Sequence, residues 1–172
     1  GPYWAHNGSS YFTYDSTNET WMENIHKNNA IFSSIVIYYN AATGGSSGES
    51  LFGTSGSGFG IGAYFIQVGN LVRFAVNNGT AESLGKSGGT SVSVAWHFAG
   101  VSLNEATGSG GGFLYLDGAY NQVSGSDTFD STYSSPSASA AAFTMNISAI
   151  GSGFSPTLSG NRIACLAIWE GT

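Results

Sequence analysis

The segment Ser126-Asp127-Thr128-Phe129-Asp130-Ser131-Thr132-Tyr133 gathers two carboxylates, several hydroxyls and two aromatic rings in one polar stretch. Planar carboxylates accept hydrogen bonds from vicinal hydroxyls, and an aromatic face covers the apolar side of a sugar ring. Asp127, Asp130 and Tyr133 are therefore candidate sugar-binding residues, and Tyr120 and Asn121, shortly before them, extend the same rim. Trp21, set among Asn, Thr and Glu, is the tryptophan freest to stack on a ligand. The same oxygen-rich loop suits calcium, although this reading requires no cofactor. A decorated surface loop is the plainer alternative.

Other chemistries find less support. Glycoside hydrolysis needs two carboxylates roughly 5 to 9.5 Å apart, which one strand presents at alternate positions, and no Glu-x-Asp-x-x-Glu strand exists here. Among the acidic residues only Glu19/Glu23 and Asp127/Asp130 lie close together, and both pairs read as solvated turns. No Gly-x-Ser-x-Gly opens a helix after a strand. His6, His26 and His97 are far apart and show no zinc-ligand spacing. His97 reads as a packed strand residue and Cys165 as a buried thiol acting as a small hydrophobe.

The elements that must carry these residues are strands. Tyr11-Phe12-Thr13-Tyr14 follows an Asn-Gly turn and reads as an early edge strand. Residues 15–29 read as a loop with at most a helical turn. The run 30–39 places Ile31, Ile35, Ile37 and Tyr39 on one face and Phe32, Val36 and Tyr38 on the other, which predicts a central strand covered on both sides. Residues 61–68 and 71–76 flank Gly69-Asn70 as a hairpin, with Val72, Phe74 and Val76 on one face and Arg73 on the other, toward solvent or a ligand, solvent being preferred. Further strands are expected at 91–101, 112–116, 119–123, 143–150 and 162–169, with Leu51 and Phe52 in a short one. Trp96 and Trp169 lie in apolar segments and are expected to fill the core.

Composition sets the outer bounds. With 172 residues, 41% hydrophobic, the chain suits a single domain with a sizeable core. Gly1-Pro2 reads as a protease-site scar, leaving 3–172 as one domain. Only 8% of residues are charged, against roughly 25% in typical soluble domains, so solubility rests on hydroxyls and amides. The net charge is −6, and Lys27, Arg73, Lys86 and Arg162 are scattered singly, which argues against a nucleic-acid partner. No apolar run approaches the roughly 18 residues of a membrane span, so no membrane insertion is expected.

Many short strands without a convincing helix predict an antiparallel sandwich or barrel. The ordered set Asn7-Gly8-Ser9-Ser10-Tyr11, the strand 31–39, Trp96-His97 with Ala99 and Val101, Leu114-Tyr115-Leu116-Asp117-Gly118, and Ile163-Ala164 to Trp169 resembles the concanavalin A-like, laminin-G-like (LamG) jelly-roll family across nearly the whole chain. The resemblance implies an all-β fold of two curved antiparallel sheets. It also implies a ligand site on the concave sheet or its rim loops, and a glycan or glycoprotein partner on a cell surface.

The expectation is a non-catalytic, lectin-like module of a cell-surface adhesin or phage tail-fibre tip, extracellular or on a virion. The alternative is a structural, oligomerising fibre-tip domain, such as a homotrimer, that holds protein partners and no sugar. A glucanase-like enzyme ranks last because the acidic strand is missing.

Overall fold

The computed structural model describes residues 2–5, 12–14, 31–41, 49–53, 62–68, 71–77, 82–86, 92–104, 112–122, 145–147 and 160–171. The regular structure among them is entirely β: β1 (Trp4–Ala5), β2 (Phe12–Tyr14), β3 (Ile31–Tyr39), β4 (Glu49–Gly53), β5 (Gly62–Val68), β6 (Leu71–Asn77), β7 (Glu82–Lys86), β8 (Trp96–Asn104), β9 (Gly112–Leu116), β10 (Ala119–Gln122), β11 (Met145–Ile147) and β12 (Arg162–Glu170). They form two six-stranded antiparallel sheets. Sheet A runs β1-β12-β3-β8-β9-β10 and sheet B runs β2-β11-β4-β5-β6-β7. β2 is an edge strand, as expected, and the β5–β6 hairpin closes with Val68 opposite Leu71. β1 and β7 were not foreseen, and the helical turn considered within 15–29 lies outside the described residues.

The core lies between the sheets and follows the period-2 alternation of each strand. β3 contributes Phe32, Val36 and Tyr38, β8 contributes Ala99, Val101 and Leu103, and β9 contributes Leu114 and Leu116. Sheet B answers with Leu51, Phe52, Ala63, Phe65, Val72 and Phe74. Phe32 and Phe74 meet across the interface at 5.4 Å between ring centroids, and Phe65 meets Phe74 edge-on at 6.1 Å. One buried polar link also spans the sheets: the Tyr38 hydroxyl donates to Gln67 Oε1 at 3.1 Å. Tyr38→Phe is expected to cost about 1 kcal/mol, because Gln67 loses that donor without gaining solvent; urea denaturation would show it as a lowered midpoint at unchanged slope.

A second polar cluster fixes the entry to β8. The Ser93 carbonyl accepts from Asn40 Nδ2 and lies 2.9 Å from His97 Nε2, while His97 Nδ1 lies 2.6 Å from Asp117 Oδ2. Asp117 Oδ1 in turn accepts from the Phe98 amide, and the Asp117 amide donates to the Phe98 carbonyl. Asp117 and Gly118 have φ of 51° and 80° and form the two-residue loop between paired Leu116 and Ala119, a type I′ hairpin. The packed-strand reading of His97 is correct, since only 4% of it is exposed.

Three expectations are corrected. β3 is central, between β12 and β8, but only its inner face is buried; Ile31, Ile35, Ile37 and Tyr39 are half-buried. Trp96 and Trp169 are 44% and 46% exposed and do not fill the core. In β8 the inward positions belong to His97, Ala99, Val101 and Leu103, so Trp96 faces out with Phe98, Gly100 and Ser102. In β12 the cause is a bulge: Ile163 pairs with Tyr38 and Cys165 with Ile37, leaving Ala164 as an extra residue. That insertion reverses the alternation, so Leu166 and Ile168 pack on the core while Trp169 faces out and Cys165 is only half-buried.

Candidate functional site

Among the described residues, sheet A offers the more open surface. On the outer side of β5 in sheet B, Tyr64 and Ile66 are each 1% exposed, so β5 is buried on both faces. Arg73, expected toward solvent, is half-buried there with its guanidinium 5.9 Å from the Tyr64 ring. By contrast, the outer faces of β3, β8 and β9 carry half-buried or exposed side chains throughout their centres, apart from Gly100.

A shallow depression of about 350 Å³ opens there, lined by Ser33, Ser34, Ile35, Phe98, Gly100, Val101, Ser102 and Tyr115. That volume lies within the range of small-ligand sites, roughly 300 to 1,000 Å³. Gly100 makes its floor. Ile35, Gly100 and Tyr115 stand side by side in register, and a Cβ on Gly100 would come within 3.2 Å of the Ser34 carbonyl, 3.5 Å of Ile35 Cγ2 and 3.8 Å of Tyr115. Glycine inside a strand often marks such a close approach. Ser33 Oγ donates to Ser102 Oγ at 3.2 Å in the adjacent row, leaving Ser102 its own proton to donate. Phe98, 40% exposed, completes the aromatic lining.

Chemically this is a neutral surface of two ring faces, an aliphatic side chain and serine hydroxyls. It suits a ligand with an apolar face and a hydroxylated rim. No carboxylate stands among its described lining residues. His97 and Asp117 are paired, but both ring nitrogens of His97 are engaged and its ring lies on the inner side of β8. Among the described residues no three His, Cys, Asp or Glu side chains come together as a metal site.

The residues singled out from the sequence distribute unevenly. Tyr120 and Asn121 belong to β10, with Tyr120 opposite Tyr115 and Asn121 opposite Leu114. Tyr120 thus continues the register row of the depression, whereas Asn121 stands opposite a core position. Trp21, Asp127, Asp130 and Tyr133 lie outside the described residues. Phe98, Gly100, Tyr115, Ser33 and Ser102 were not anticipated. The available signals were Ser33-Ser34 interrupting an otherwise apolar run, and Gly100 inside a predicted strand.

Comparison with known proteins places this geometry. No family model matches the chain, and no curated protein matches it. Solved structures do. The CBM40 domain of the Ruminococcus gnavus IT-sialidase, bound to α2,3 sialyllactose, superposes with a TM-score of 0.66 at 10% identity, covering 98% of this chain and 89% of that one. Domains LG4-5 of the mouse laminin α1 chain give 0.57 at 12% identity, over 94% of this chain and 40% of that one. The binding domain of botulinum neurotoxin DC, in complex with SialylT, gives 0.62 at 13% identity, over 98% and 41%. This chain therefore spans most of the CBM40 domain but about two-fifths of the laminin and toxin chains. The fold is an antiparallel jelly-roll β-sandwich, similar to those of these domains.

Proposed function

We propose that this protein is a non-catalytic carbohydrate-recognition module that binds a surface glycan in the depression on sheet A. The observation that carries the reading is the juxtaposition of Phe98 and Tyr115 with the Ser33–Ser102 hydroxyls around the glycine floor at Gly100. Stacking on the rings and hydrogen bonding to the hydroxyls is the combination a pyranose requires. Jelly-roll neighbours that carry sialyllactose or SialylT support it by fold. Tyr120 and Asn121, with Asp127, Asp130, Tyr133 and Trp21, are further candidate glycan contacts, proposed from their residue types as a rim. A neutral groove needs no cofactor; calcium, if used, belongs to the carboxylates of that rim. The low charge and the Gly/Ser-rich surface suit an extracellular setting, on a cell-surface adhesin or a phage tail-fibre tip.

A glycan array read with and without a chelator tests the reading. Binding to a defined set of glycans is expected, and a chelator-sensitive signal would add calcium; silence across diverse bacterial and host glycans would contradict the proposal.

A second reading has its own support. Tyr3, Trp4, Val94, Trp96, Phe98 and Trp169 are all 40% or more exposed, and exposed Trp and Tyr are the residue types that anchor protein interfaces. A structural fibre-tip domain, for example a homotrimer, would use them as contacts. Light scattering at high concentration separates the two, since a clean monomer counts against the oligomeric reading.

A further inference from the structure

Arg162 is the one lysine or arginine on sheet A. It sits on β12 opposite Tyr39 of β3 and Ala5 of β1. Its guanidinium lies 4.8 Å from the centroid of the Tyr3 ring and 5.2 Å from that of Tyr39. Trp96 closes the group, 6.1 Å from Tyr3 and 5.6 Å from Tyr39 between ring centroids. Tyr3 and Trp96 are 46% and 44% exposed. Ion pairs are the usual fate of an arginine in an acidic protein. Among the described residues, however, no carboxylate or hydrogen-bond partner is recorded for the Arg162 guanidinium, and its neighbours are the Tyr3 and Tyr39 rings.

Rings hold the cation in place without consuming its N–H donors. Cation–π attraction acts on the guanidinium plane, whereas the five N–H groups point outward in a fixed fork that matches a carboxylate bidentately. The bulge at Ala164, two residues on, borders a small depression of about 190 Å³ shared with Pro2, Tyr3 and Trp4. We infer that Arg162, held by Tyr3 and Tyr39 with Trp96 packed against both tyrosines, is a second recognition subsite that takes the carboxylate of an acidic sugar while the exposed rings cover its apolar face. It adjoins the neutral depression, since Trp96 stands two positions along β8 from Phe98, about 7 Å at 3.3 Å per residue, but its cation lies farther off: Arg162 pairs with Tyr39, four positions along β3 from Ile35, about 13 Å. The carboxylate contact stands independently of the glycan reading of that depression; the sugar identity of its bearer rests on it.

The test titrates the protein with glucuronate and sialyllactose, and with glucose and lactose as neutral controls, following the indole and amide signals of Trp96 by NMR. Acidic probes are expected to shift Trp96 more strongly than neutral ones, with affinity falling as ionic strength rises. Arg162→Gln should weaken the acidic probes by roughly tenfold or more, and Arg162→Lys, which keeps the charge and loses the fork, should fall between. Tyr3→Ala, beside an edge strand, provides a variant that leaves the sheet intact. Equal binding of acidic sugars by wild type and Arg162→Gln, or no response of Trp96 to either acid, would overturn the inference. Loss of neutral-sugar binding alone would instead contradict the glycan reading of the depression.

Discussion

Replacing Phe98 and Tyr115 by alanine together is expected to abolish detectable glycan binding, and each single change should weaken it roughly tenfold, about 1.4 kcal/mol. The effect is large because the depression has few other sources of affinity. Its described lining residues carry no charge, and the Ser33–Ser102 pair supplies hydrogen bonds that largely exchange for those with water. Ring faces are what favour the sugar over solvent. Phe98 is 40% exposed, so its loss should leave the fold intact, and an unchanged thermal midpoint for Phe98→Ala would confirm that. Binding that persists in the double variant, measured by calorimetry on a glycan identified by array, would move the site away from the centre of sheet A.

His97→Ala carries the largest expected effect on stability, a loss of about 2 to 4 kcal/mol. Two consequences add. The ring fills space beside Tyr38, with centroids 5.6 Å apart, and its removal leaves a cavity at the start of β8. Asp117 Oδ2 and one acceptor position of the Ser93 carbonyl also lose their contacts with the ring. Asp117 and Ser93 are both exposed residues and can rehydrate, so the cavity left by the buried ring carries more of the cost. For a domain of this size the thermal midpoint should fall by roughly 2 to 4 °C per kcal/mol. Asp117→Asn, which keeps the turn and an acceptor for the Phe98 amide, should fall well short of that loss.

The fold was legible because strand signals do not depend on distant context. Asp117-Gly118 demanded positive φ, the Val72/Phe74 alternation fixed the inner face of β6, and the ordered aromatic motifs pointed to a jelly roll. Pairing order was not legible: nothing local says that β12 lies between β1 and β3. The tryptophans show where the reasoning failed. Hydrophobicity placed Trp96 and Trp169 in the core, but orientation in a strand is a matter of parity. Ala164 contributes no visible signal of the bulge that turns Trp169 outward, because an alanine in a bulge looks like an alanine in a strand. Trp96 was decidable in principle, since Gly100, Ser102 and Asn104 share its face and are poor core residues.

The candidate site was harder still. Sequence reasoning looks for polar side chains clustered along the chain, and so favoured Asp127, Asp130 and Tyr133. Those three lie outside the described residues; the depression assembles side chains from three strands, each unremarkable in its own neighbourhood. Ser33 and Ser102 are 69 residues apart and become a pair only through the β3–β8 register.

One measurement tests the central claim most directly: backbone amide chemical-shift mapping with a glycan identified by array. The proposal predicts perturbations concentrated at 33–35, 98–102 and 113–115, extending to Tyr120, with weaker effects in 126–133. Perturbations confined to 126–133, or spread over sheet B with none at Phe98, Gly100 and Tyr115, would contradict it.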